Sequence, residues 1–194
     1  MIKRALQTLL RLPWLARDVR RTRGTSAPIT WSQILRQFIL GINGDVPWPV
    51  DGTSTVSGAS RIVIGIGTAP GLGAGCYIQA INGIHVGDYT LIAPGVGLIS
   101  ANHSPLDTRK HVPAPPIRIG RYCWIGMNAI VLPGVCLGDH TVVGAGAVVT
   151  HSFPDGYCVL AGVPAKVLAS IPRDKVIEYR YRYEYRGFIF VRQT

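Results

Sequence analysis

A chain of 194 residues is long enough for one domain with a sizeable core, or for a domain with short arms. With 15% charged and 47% hydrophobic residues, 23 glycines and 14 prolines, the composition excludes a disordered chain and a helical bundle and suits a tightly turning β architecture. The formal net charge of +10 calls for an anionic partner: nucleic acid, a phosphate-rich cofactor or a membrane surface.

The first predicted element is helical. Within residues 1–23, Ile2, Ala5, Leu6, Leu9 and Leu10 share one helical face, with seven basic residues among or just after them. Such a helix either lies on an anionic membrane surface as a peripheral anchor or packs against its own chain. Pro13 is expected to end or kink it. A second helix is predicted over Thr30–Leu40, with Thr30 as N-cap. No apolar run approaches about 18 residues and no signal-peptide pattern is present, so the expected location is the cytoplasm, at most peripheral at the membrane's inner face.

After this helical arm (1–49), "PWPVDG" leads into a repeat over 50–168. Small or branched aliphatic residues recur every six positions at Val50, Val56, Ile62, Ala74, Ala80, Val86, Ile92 and Leu98, with Thr68 the polar intruder. The beat resumes at Ile119, Ile125, Val131, Leu137, Val143 and Val149, with glycine directly after it at Gly120, Gly126, Gly138 and Gly144. A six-residue period fits neither a helix nor a single alternating strand. It fits an all-β, parallel β-helix, in which each hexad supplies one short strand and one corner and three hexads close a triangular coil. Stacking at roughly 4.8 Å per coil gives a prism of about five coils. Cys76, Cys123, Cys136 and Cys158 include no CxxC pair and are expected to be free thiols filling small apolar positions.

The repeat breaks at about 99–118, "SANHSPLDTRKHVPAPPI" within it, too long for a corner and stiffened by proline; loops of this length inside a compact repeat are usually functional. His103 sits at the loop's root, where the scaffold would hold it. His111 is expected to face solvent, and His85 and His140 to be surface residues at repeat corners. The tail, 169–194, is predicted helical from Pro172, then helical or extended. Its Tyr/Arg alternation has the composition of a nucleic-acid stacking surface. Covering an open end of the β-helix is the favoured role, and no nucleic-acid partner is expected.

"SANHSPLD", "IGRYCWIGMNAIVLPGVCLGDHTVVGAGAVVT" and "AGVPAKV" resemble the hexapeptide-repeat acyltransferases, a left-handed β-helix family. The likeness is to the trimeric O-acetyltransferase branch that includes galactoside, maltose, nodulation and streptogramin acetyltransferases. Within it, "GCYIQAINGI", "LISANH" and "YCWIGMNAIVLPGV" resemble enzymes of bacterial surface-polysaccharide synthesis. The resemblance covers about Val50–Leu168 and also imports the left-handed winding.

It implies acetyl transfer from acetyl-CoA to a hydroxyl of a sugar or glycan precursor, in a cleft between subunits of a homotrimer. A hydroxyl needs a base within hydrogen-bond distance, and histidine titrates in the useful range. By resemblance, His103 is that base. Met127 offers its backbone N–H to the oxyanion, and Trp124 lies near the reaction centre. Asn82, Asn102 and Gln79 are candidates for acceptor binding, with capping of corners as the alternative role for Gln79 and Asn82. Pantetheine is expected along Gly126 to Thr150, past Ala145, and Lys166 also matches a CoA-contact position. His151 stands where relatives usually carry Lys or Arg. Asp107 and Asp88 are the nearest carboxylates in sequence that could orient His103, and a backbone carbonyl is the alternative. An acyltransferase of a non-sugar acceptor and a non-catalytic scaffold are the rival readings. Zinc hydration chemistry on the same prism needs a His-x4-His pair, which this chain lacks, so no metal is expected.

Overall fold

The computed structural model of the chain describes residues 12–194. Hexads wind into a three-faced parallel β-helix whose strands are only two to four residues long over most of their course. Face A is built from β1 (Thr55–Ser57), β3 (Tyr77–Gln79), β6 (Gly97–Ile99), β9 (Ile130–Val131) and β12 (Val148–Val149). Face B holds β2 (Ile62–Ile64), β4 (Ile84–Val86), β7 (Ile117–Ile119) and β10 (Cys136–Leu137). Face C holds β5 (Leu91–Ile92), β8 (Trp124–Ile125), β11 (Val142–Val143) and β13 (Cys158–Ala161), closed by the antiparallel β14 (Lys166–Ser170).

Inside the tube the aliphatic residues stack in register. Ile78, Leu98, Val131 and Val149 form one ladder, and Val86, Ile119 and Leu137 another. Ile92, Ile125, Val143 and Leu160 form the third. Every beat residue from Ile119 to Val149 is buried, none more than 4% exposed. The earlier half keeps the beat less strictly. Ala74 is exposed, because the turn over 70–75 takes extra residues and Ile78, paired with Val56, fills the core instead. Thr68 stays inside by giving its hydroxyl proton to the Thr90 carbonyl at 2.6 Å.

The glycines after the beat serve the stacking rather than the turning. A Cβ on Gly120 would lie 2.6 Å from both the backbone nitrogen and Oδ1 of Asp139 in the next coil. Gly120→Ala is therefore expected to cost about 2 kcal/mol of stability, read as a fall in the urea midpoint, because the collision is with backbone that cannot swing aside.

At the corner between faces B and C, Tyr89, Tyr122, His140 and Tyr157 all take left-handed φ, between 49° and 56°. Their rings stack up the prism at centroid distances of 5.1, 5.2 and 4.9 Å. His140 is thus a buried rung rather than a surface residue. His85 is on a strand, not a corner: it points outward from β4, and the Arg118 guanidinium donates to its Nδ1 at 2.9 Å.

The tail follows that corner as a strap. Only a 3₁₀ turn forms after Pro172, over Arg173–Lys175, where a helix was expected. Arg173 lies over Tyr157, the Tyr122 hydroxyl donates to the Tyr179 carbonyl at 2.9 Å, and Tyr181 stands against Tyr89. The chain then forms a hairpin of β15 (Tyr183–Arg186) and β16 (Ile189–Gln193), turning at Gly187 with φ 58°. Tyr/Arg alternation has the two-residue period of a strand, and that period prevails over the proline start signal.

The hairpin packs on the N-terminal arm. Within the described residues helix α1 spans Leu12–Thr22 and includes Pro13; the segment that Pro13 was expected to end or kink lies outside them. Leu15 and Val19 join Ile29, Ile34, Phe38, Tyr185 and Phe188 in a second small core. Leu15 and Val19 of the basic segment thus pack within the chain; Ile2, Ala5, Leu6, Leu9 and Leu10 lie outside the described residues. Thr30 caps α2 (Trp31–Ile34) with a complete capping box to Gln33, and the helix continues as a π turn over Leu35–Ile39. Buried Trp48, its indole N–H donating to the Pro70 carbonyl at 2.8 Å, ties this arm to the first coil. Among the described residues, no helix is long and apolar enough to cross a membrane. All four cysteines are free thiols; burial raises Cys123 to about 11 and makes it unreactive.

Candidate active site

The loop leaves face A after β6 and rejoins face B at β7. Its root is buried: Ser100 is fully enclosed and Ala101 is 2% exposed. Gln79 clasps Ala101 by both backbone groups, Nε2 to the carbonyl at 3.1 Å and Oε1 from the amide at 3.0 Å. Asn82 gives its two amide hydrogens to the carbonyls of Ser100 (2.9 Å) and Val112 (3.1 Å), so it staples the outgoing and returning strands together. The side-chain amide of Gln79 and the Nδ2 of Asn82 are therefore spent on placing the loop.

Beyond the root the loop is a miniature hairpin. Ser104 donates to Lys110 and Val112 to Asn102, both at 2.8 Å, which makes His103 and His111 a directly opposed pair. Asn102 and His103 are exposed. The Nδ1 of His103 lies 2.5 Å from the Thr108 carbonyl oxygen. A carbonyl only accepts, so Nδ1 carries the proton and Nε2 presents a lone pair. This is the arrangement a general base needs.

Neither sequence-proximate carboxylate supplies that orientation. Asp107 is taken by Arg109 (2.9 Å) and Lys110 (3.7 Å), and hydrogen bonds from Arg109 hold its carboxyl below the usual range. Asp88 accepts the Ile66 amide at 2.6 Å, between coils at the B–C corner. His111 is exposed, as expected, and its ring centroid is 4.4 Å from that of His103.

The remaining candidates divide between two edges of face A. Gly126, Met127 and Ala145 lie at the corner where face C passes into face A, and Trp124 projects from β8 beside it, 52% exposed. Lys166 begins β14, after the turn that carries the Ala165 amide to the Val148 carbonyl at this same edge. Thr150 and His151, joined by a 2.7 Å bond between Oγ1 and Nδ1, lie at the opposite edge, on the side from which the loop departs. Between the expected pantetheine contacts, the six residues from Ala145 to Thr150 carry the chain across the whole face. Likewise Met127 precedes β9 while the loop root follows β6, and those strands are paired in register. His103 therefore shares one edge of face A with Thr150 and His151, and Met127 shares the other with Ala145.

The Met127–Ala145 edge presents donors. The Met127 carbonyl accepts the Gly146 amide at 2.8 Å, but among the described residues no acceptor meets the Met127 or Ala145 N–H. Both residues are exposed, one coil apart. In the preceding coil the same position is Pro94, which has no N–H to leave free. Two unclaimed backbone donors on a rigid edge suit a carbonyl or a developing oxyanion. The small side chain of Ala145 lets a thin ligand reach them. Among the described residues, no group of three His, Cys, Asp or Glu side chains is placed to hold a metal ion.

Sequence missed Thr108, Ser100 and His111. Thr108 acts through its carbonyl and Ser100 through a buried hydroxyl that accepts the Asn82 amide, neither of which a residue pattern reveals. His111 was legible in principle. A turn at Leu106–Lys110, where Lys110 donates to the Asp107 carbonyl at 2.9 Å, pairs positions symmetric about Asp107, and these are His103 and His111.

A stacked prism of hexads, opened by a loop that displays a histidine, is a parallel β-helix. Residues 116–151 match the bacterial transferase hexapeptide (six repeats) family model. It is 41% identical over 96 residues to the galactoside O-acetyltransferase of Escherichia coli strain K12, covering 47% of each chain. A solved galactoside acetyltransferase in complex with coenzyme A is 32% identical, with a TM-score of 0.53, over 69% of this chain and 66% of that one. A maltose O-acetyltransferase from Clostridium difficile 630 shares the fold at 23% identity, with a TM-score of 0.58, over 83% of this chain and 86% of that one. These neighbours are left-handed β-helices, which agrees with the expected winding. The chain spans about half the length of the curated relatives it matches.

Proposed function

We propose that the protein is an acetyl-CoA-dependent O-acetyltransferase acting on a hydroxyl of a sugar or glycan precursor in surface-polysaccharide synthesis, with His103 as general base. The observation that carries this reading is the Nδ1–H bond of His103 to the Thr108 carbonyl, which leaves Nε2 ready to accept a proton. The acceptor hydroxyl attacks the thioester carbonyl carbon as its proton passes to Nε2. The resulting oxyanion takes the Met127 N–H, the C–S bond breaks, and the proton returns to the departing CoA thiolate.

The division of the site gives the reading its geometry. His103 and Met127 cannot meet across one face of one prism, so a complete site forms where one copy's loop edge faces another copy's Met127–Ala145 edge. A homotrimer closes three such sites with every edge used. Thr150 and His151 then face the donor from the histidine's side, and Lys166 from the other, where a cation suits phosphate.

The direct test is release of free CoA from acetyl-CoA by the full chain, with galactose, maltose and cell-surface oligosaccharides as acceptors. Turnover with a sugar and none without is the expected result. Failure to bind acetyl-CoA at all would overturn the reading.

A further inference from the structure

We propose that His111 is a positioning residue for His103, holding its ring in the Nδ1–H tautomer; this rests on the reading of His103 as the base. The argument begins with the backbone. Because the bonds Ser104 N–H to Lys110 and Val112 N–H to Asn102 flank the pair, His103 and His111 form a non-hydrogen-bonded antiparallel pair. In such pairs the Cα atoms approach to roughly 4.5 Å and both side chains project to one side. The two imidazoles accordingly lie 4.4 Å apart, tilted by 37°.

That contact answers a deficiency in the site. His103 is exposed, so the tube core does not fix its rotamer. Asp107 is occupied by Arg109 and Lys110, and Asp88 is committed at another corner. Among the described residues, the polar restraint on the ring is a single bond to a carbonyl on the same exposed hairpin. One bond sets the tautomer only while the ring stays in its plane, and a free imidazole reverts to the Nε2–H form. A second ring against the first restricts rotation about χ1 and χ2 and keeps Nδ1 aimed at Thr108. Any flat ring at position 111 would serve, which separates positioning from proton transfer.

The test uses the full chain with His111→Ala and His111→Phe. Two-bond ¹H–¹⁵N correlation spectra report the tautomer of His103 without any acceptor. The wild type and His111→Phe are expected to show the Nδ1–H pattern, and His111→Ala predominantly the Nε2–H pattern. Acetyl transfer to galactose then reads the consequence. His111→Ala should lower kcat about tenfold with the KM for acetyl-CoA unchanged, as a misoriented catalytic group does, and His111→Phe should stay within about twofold of wild type. An unaltered His103 pattern in His111→Ala, or a His111→Phe variant that behaves like alanine, overturns the proposal. If the tautomers follow expectation but wild type transfers no acetyl group, the positioning stands and the acetyltransferase reading fails.

Discussion

His103→Ala is expected to lower the rate of acetyl transfer by about 10²–10⁴-fold while leaving acetyl-CoA binding intact. The size follows from what is removed. A sugar hydroxyl is a negligible nucleophile at neutral pH, and His103 is the group at the loop whose ring is oriented by a bond to the Thr108 carbonyl. The scaffold does not depend on the side chain. His103 is exposed on a hairpin whose root is fastened by Gln79 and Asn82, so the unfolding midpoint should move by less than about 0.5 kcal/mol equivalent. Acetyl-CoA should still bind, because none of the donor contacts proposed above, at Met127, Ala145, Thr150, His151 and Lys166, uses the His103 side chain. Free CoA release and a separate binding isotherm are the two measurements. Equal rates in both proteins would make His103 a structural loop residue.

The split of the site between two edges also explains why binding and rate should separate. Substitutions on the Met127–Ala145 edge act on the donor, and those on the loop edge act on the base. Ala145→Val should therefore weaken acetyl-CoA binding by about tenfold, measured by titration, while His103 is unaffected. It places branched methyls over the two free N–H groups without touching the tube's interior.

The regular half of the fold was the easiest part to read. From Ile119 to Val149 each beat residue is a core residue because each hexad puts its sixth position inside the next face, and a coil of three hexads returns the chain to the same ladder. The earlier half resisted because a turn that gains residues, as that over 70–75 does, leaves the composition unchanged but moves the register, and Ala74 was misplaced for that reason. His103 was legible as a break in a repeat. Its partner was not: a carbonyl carries no side-chain signature, and Thr108 is exposed and unremarkable in sequence. The distance between Met127 and His103 was hidden too, since proximity in family motifs says nothing about which copy of the chain supplies each edge. Of the helical or extended tail, the helix start at Pro172 did not extend beyond a 3₁₀ turn, because Pro172 marks a helix start only when an apolar period of about 3.6 follows it, and here the period is two.

That strap supports the last expected result. Glu184→Ala should destabilise the chain by about 3 kcal/mol at neutral pH and release the hairpin from the prism. The carboxylate is fully enclosed, and it binds the Tyr89 hydroxyl on one oxygen and the Arg192 guanidinium on the other. Removing it leaves the buried Tyr89 hydroxyl without its acceptor, at roughly 1–3 kcal/mol, and opens a cavity beside the ring ladder. Arg192 is half exposed and turns to water, which keeps the loss below that of a fully buried broken pair. The sign of the pH dependence follows from the same contacts. Burial opposes ionisation of Glu184, but the Tyr89 and Arg192 hydrogen bonds outweigh it and hold the carboxyl below its ordinary value of 4.5. A carboxyl depressed in the folded state lends its stability in full above that ordinary value, and the contribution fades as pH falls through the folded value. The gap between wild type and Glu184→Gln should thus be largest near pH 7 and shrink below about pH 4.5, as measured by urea midpoints at both ends. A gap that widened on acidification would mean that the carboxyl is protonated in the folded chain. Tyr89 would then be the acceptor rather than the donor, and the strap would be fastened by Arg192 and packing alone.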